Sequence, residues 1–85
     1  MNNKEFNEKY VNYIEDGFES QGLMISDGRV IDFLDEIFGE VLIHIPGFKY
    51  SQIKVKFNSS RIYVDNVPVT MTYWMEKSVN TILEK

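Results

Sequence analysis

The single histidine, His44, is the one side chain here whose ordinary pKa lies near neutrality, so acid–base chemistry is first sought there. A triad would need a hydroxyl and a carboxylate brought to it, and no serine of this chain stands in a G-x-S-x-G elbow. The absence of cysteine excludes disulfides, thiol nucleophiles and thiolate metal sites. Asp27-Gly28-Arg29-Val30-Ile31-Asp32 has the look of a calcium loop. Ligand positions 3 and 5, the glycine at 6 and the glutamate at 12 of such a loop fall on Arg29, Ile31, Asp32 and Phe38. Asp32, Asp35 and Glu36 could hold a hard cation only loosely. Neither G-x-G-x-x-G nor a P-loop occurs. The expectation is a protein with no catalytic activity, no cofactor and no metal.

Charge carries the clearest signal. Residues 1–47 hold ten acids against three bases, a net of −7, whereas residues 48–85 hold six bases against three acids, a net of +3. Glu15, Asp16, Glu19, Asp32, Asp35 and Glu36 fall on the helices expected in the first half. At helical spacing, like charges cost a few tenths of a kcal/mol per pair, a cost that a charge-complementary partner would offset. These six residues are the candidate partner-binding set. A second set lies on the expected hairpin, where Tyr50, Lys54, Lys56, Arg61 and Tyr63 share a face. Aromatics interleaved with bases on an open sheet are one way to grip single-stranded nucleic acid.

The elements that must position these residues follow from periodicity. Phe6, Tyr10, Ile14 and Phe18, with Val11 beside them, predict a helix over about 3–20, capped by Asn2 or Asn3 and ended by Gly22. Leu23-Met24-Ile25 is too short to assign. Val30, Ile31, Phe33, Leu34, Ile37 and Phe38 predict a second helix, capped by Ser26 or Asp27 and stopped at Gly39. Val41, Ile43 and Ile45 then alternate as a strand over 41–45, with His44 on its non-core side; one continuous helix from 27 to 45 is the rival reading.

Ile53, Val55 and Phe57 predict the buried side of a strand over 50–57, which turns at Asn58-Ser59-Ser60 into another over 61–67. Met71, Trp74 or Met75, Val79 and Ile82 form the stripe of a last helix over about 70–84, capped by Thr70 or Thr72. The sum is a single α+β domain over residues 1–85. It has two N-terminal helices, a three-stranded antiparallel meander and a C-terminal helix packed on one sheet face.

The longest uninterrupted apolar runs are three residues, so neither a membrane span nor a secretory signal is expected, and a cytoplasmic location is. In size, acidity and want of catalytic residues the chain resembles the small inhibitors that phages and mobile elements encode. That resemblance implies a protein-binding inhibitor. Its acidic surface would mask the basic groove of a partner, a DNA- or RNA-handling enzyme being one such partner. The alternatives are direct binding of single-stranded nucleic acid on the sheet face, and a homo-oligomeric structural subunit joined through a Tyr50–Tyr63 patch.

Overall fold

The computed structural model describes residues 1–17, 21–57 and 59–85. Helix α1 (Asn3–Lys9) starts at Asn2, whose side chain accepts the Glu5 N–H while the Glu5 carboxylate accepts the Asn2 N–H. This capping box satisfies two of the donors that a helix N-terminus leaves open. The helix then stops well short of its predicted end. Val11–Tyr13 forms a 3-10 turn, and Ile14 is extended and bridges Tyr50 in parallel. The Glu15 N–H donates to the Tyr50 carbonyl at 2.8 Å. The apolar spacing of Ile14 suits a sheet edge as well as a helix. Val11, Asn12, Tyr13 and Asp16 are weak helix formers, so sheet pairing wins. Phe18 and Glu19 lie outside the described residues.

The unassigned Leu23 segment is strand β1 (Gly22–Met24). Helix α2 (Gly28–His44) carries the chain from it to strand β2 (Lys49–Lys56), and the two strands pair in parallel. A parallel pair needs such a crossover. Strand β3 (Ser59–Asp65) pairs antiparallel with β2, and helix α3 (Val69–Leu83) ends the chain. The sheet is therefore mixed, in the order β1-β2-β3, and the antiparallel meander is corrected. Two helices precede the hairpin and one follows it, as the periodicity predicts, but β1 comes between the first two.

Residues 41–45 correct the other strand assignment. Asp27 caps α2, accepting the Arg29 N–H at 2.9 Å, and the helix runs through Gly39 to His44. Gly39 faces solvent and costs about 1 kcal/mol against alanine. Burying Val41 in line with Val30, Ile31, Leu34 and Phe38 outweighs that, at roughly 1.5–3 kcal/mol for a fully buried aliphatic. The stop falls at Ile45, because Pro46 disfavours helical backbone in the residue before it.

Helices cover one sheet face, and Phe6, Phe38, Phe48 and Tyr50 stack edge-on between the layers with ring centroids 4.8–5.9 Å apart. On α1, Asn3 and Asn7 face the open edge of β1. Asn3 donates to the Ile25 carbonyl and accepts its N–H, at 2.8 and 2.9 Å. Asn7 does the same to Leu23, at 3.1 and 2.9 Å, and its Oδ1 also accepts the buried Tyr50 hydroxyl at 3.0 Å. Gly22 permits this approach: its φ is +69°, and an added Cβ would meet Asn7 Oδ1 at 2.7 Å.

Two substitutions test this architecture. Asn7→Leu strands both backbone groups of Leu23 and the Tyr50 hydroxyl, and urea denaturation should register a loss of about 2–4 kcal/mol. Gly39→Ala should add about 0.5–1 kcal/mol, because the site is helical and open. A neutral or destabilising Gly39→Ala would restore the strand reading of 41–45.

Candidate functional site

Two surfaces collect the residues singled out in the sequence. On the uncovered sheet face, register pairs Gln52 with Tyr63, Lys54 with Arg61 and Lys56 with Ser59, while Met24 of β1 lies beside Lys54. Lys54, Lys56, Arg61 and Tyr63 are thus brought together. Lys54 and Arg61 stand directly opposite, a like-charge juxtaposition that destabilises a ladder. Among the described residues no carboxylate pairs with any of the three cations.

Tyr50 is the correction. The register slips between Tyr50 and Gln52, so Ser51 is an extra residue that reverses the alternation. Tyr50 turns inward with Ile53 and is fully buried, so the Tyr50–Tyr63 patch does not form. Burial raises the pKa of its phenol. The same alternation predicts a buried Phe57. Instead the hairpin closes at Lys56 and Ser59, with Phe57 at its tip, φ +54° and 89% exposed. The Lys56 ammonium sits 5.6 Å from its ring centroid. Ser59 and Ser60 belong to β3, and the Ser60 N–H donates to Asn80 Oδ1 on α3; Asn58 lies outside the described residues.

The acidic set divides. Asp32 and Glu36, joined by Glu40, project from successive turns of α2 and are exposed. The N-terminal ammonium reaches Asp32 at 3.3 Å, and among the described residues no cation pairs with Glu36 or Glu40. Asp35 is engaged internally: Lys9 Nζ donates to its carboxylate at 2.8 Å, and the buried Tyr10 hydroxyl does so at 2.6 Å. Burial by itself would raise the Asp35 carboxyl, but the hydrogen bonds from Lys9 and Tyr10 hold it below the usual range. Glu15 and Asp16 are not helical. Glu15 lies at the sheet edge, where the neighbouring Asp65 carboxyl raises its pKa, with Lys49 opposing. Glu19 lies outside the described residues.

His44 is the exposed last residue of α2, not a strand residue. It borders a groove between α2 and α3 whose walls include Ile37, Val41, Ile45, Met71 and Trp74. Periodicity alone does not disclose this groove, because it puts Val41 and Ile45 in a strand. Trp74, the alternative to Met75 for the buried stripe, is half exposed, and Met75 takes the buried position. The chain begins α3 at a Pro68 cap with no side-chain hydrogen bond, so neither Thr70 nor Thr72 caps it.

Among the described residues no cluster of three or more histidine or acidic side chains could hold a metal ion, and no helix is long and apolar enough to cross a membrane. No protein-family model matches this chain, and no curated protein or solved structure matches it.

The Asp35 site generates a pH test. A carboxyl whose folded pKa is lowered contributes stability that is present above its unfolded pKa, about 4, and is lost as pH falls through the folded value. Asp35→Asn should lower stability by ~1–2 kcal/mol at pH 7 and flatten the fall in melting temperature on acidification. Superimposable acid profiles for the two proteins would refute the assignment.

Proposed function

We propose that this chain is a small protein-binding module, not an enzyme, whose acidic α2 ridge docks on a basic surface of another protein. The carrying observation is the row Asp32, Glu36 and Glu40 on three successive turns, exposed and largely unanswered by cations. Within one helix such i, i+4 like-charge pairs are unfavourable by a few tenths of a kcal/mol each. A partner presenting lysines and arginines converts that repulsion into attraction. Long-range steering then raises the association rate.

Inhibition by masking a nucleic-acid groove is the mode that best suits this chemistry. Carboxylates about 6 Å apart along the ridge occupy side chains that would otherwise hold phosphates. Asp35 supports the ridge from behind by fixing α1 to α2. Glu15, Asp16 and Glu19 belong to a separate segment and are assigned a secondary part.

A second reading has its own observation, the convergence of Lys54, Arg61, Lys56, Tyr63 and Phe57 on and beside the open sheet face. Bases stacking on the two exposed aromatics, with phosphates along the cations, would bind a short single strand.

One set of measurements separates the two readings. A partner recovered from the native host and purified should associate at least about tenfold more slowly at 500 than at 50 mM salt. Reversing Asp32, Glu36 and Glu40 to lysine should abolish its binding. A salt-independent rate, or full binding by the triple variant, removes the first reading. In a low-salt titration, an oligonucleotide that binds wild type and is lost on Lys54→Glu with Lys56→Glu establishes the second.

A further inference from the structure

We infer that the groove between α2 and α3 receives an aliphatic side chain from a lysine- and arginine-rich amphipathic helix of the partner protein. This rests on the docking reading above and specifies what the partner presents. The groove offers about 220 Å³, below the ~300–1,000 Å³ typical of pockets that enclose a small-molecule ligand. It is open along one side, and the surface it exposes is carbon, with Glu40 and His44 contributing their stems. Space of that size and shape suits one or two aliphatic side chains carried on a larger body.

The rims define that body. On the α2 side Glu40 lines the groove, and the exposed Glu36 precedes it by one helical turn on the same ridge. On the α3 side the first turns, Val69 to Met75, contain no charged residue and leave Trp74 47% exposed and Val69 85% exposed. An occupant must therefore be basic along one flank and apolar beneath. An amphipathic helix meets this requirement, with anchors at i, i+3 or i+4 filling a groove between helices. The ~6 Å rise between Glu36 and Glu40 matches one turn of such a helix. Tryptophan is also the residue most often found at the energetic centre of protein interfaces.

A second copy of the chain does not supply such a helix. α2 would again present acids, α3 carries only Lys77 as a basic residue, and the cations Lys54, Lys56 and Arg61 lie on sheet strands, not on an amphipathic helix. Lys9 on α1 is engaged with Asp35.

Trp74 is the only tryptophan and lines the groove, so its emission reports occupancy directly. Three synthetic peptides of equal charge serve as probes. The first has leucines at helical spacing among lysines, the second has the same composition with the amphipathic order scrambled, and the third has serine in place of leucine. The first should blue-shift Trp74, protect it from acrylamide and bind at least about tenfold more tightly than the scrambled peptide. Met71→Gln should weaken the first peptide by a similar factor while leaving the serine peptide unchanged. Amide-shift mapping on the wild-type protein tests the same contact without a variant, through shifts centred on Ile37, Val41, Met71 and Trp74.

Equal affinity for the ordered and scrambled peptides, or shifts confined to the α2 ridge, overturns the groove assignment and leaves the acidic docking reading standing. If none of the three peptides binds in a salt-dependent way, the docking reading itself fails.

Discussion

Two asparagine amides on α1 close the edge of the sheet, and the rest of the fold depends on that closure. β1 is three residues long and pairs with β2 in parallel, the less stable ladder geometry. Leu23 and Ile25 are almost fully buried, so unpartnered backbone groups on their outer side would cost about 1–3 kcal/mol each. Asn3 and Asn7 supply a donor and an acceptor to each, acting as a substitute strand. The match is metric: four helical residues rise ~6 Å, and two strand residues advance ~6.6 Å. Once α1 is held there, Phe6 and Tyr10 enter the core against Phe38, and the Tyr10 hydroxyl reaches Asp35.

The clamp also reaches the bulge through Asn7 Oδ1, which accepts the Tyr50 hydroxyl. Tyr50 can occupy the core only because Ser51 is inserted ahead of Gln52 and reverses the alternation. From Gln52 onward the polar and basic residues face outward and Ile53 faces inward. One irregular residue thus has two effects. It buries an aromatic whose polar tip is satisfied, and it leaves the outer face with Tyr63 but without a second tyrosine.

How much of this the sequence discloses depends on the range of the forces involved. The two strands of the hairpin, the body of α3 and the start of α2 are legible because local periodicity, and for α2 the Asp27 cap, agree with their tertiary environment. The end of α1 is not, since Ile14 fits a helical stripe and a sheet edge equally and only the position of β2 decides between them. The end of α2 is hidden because an exposed glycine resembles a terminator until the burial of Val41 is known. The bulge has no local signature, so alternation alone puts Tyr50 on the wrong face. At the candidate sites, residue types are readable and pairings are not. Asp35 resembles Asp32 and Glu36 in sequence, yet its proximity to Lys9 and Tyr10 makes it part of the interior scaffold.

The two-layer arrangement turns an imbalance along the chain into one across the molecule. Helices lie on one side of the sheet, so the exposed acids of α2 are displayed there, while the basic residues of the hairpin face the opposite way. Each layer carries a repulsion, along Asp32, Glu36 and Glu40 in one and between Lys54 and Arg61 in the other, and among the described residues only Asp32 of these has an oppositely charged partner, the N-terminal ammonium. Near-surface charge effects of this kind are small beside the burial that holds the layers together, so the fold tolerates both. They act differently at an interface, where like charge facing like charge is excluded and opposite charge is drawn in from a distance. A basic partner is therefore steered towards the helical side and away from the sheet side. On that side lies the apolar recess between α2 and α3, with Glu40 at its rim. In the docking we propose, charge selects the face, and the groove beside Trp74 fixes the register on it.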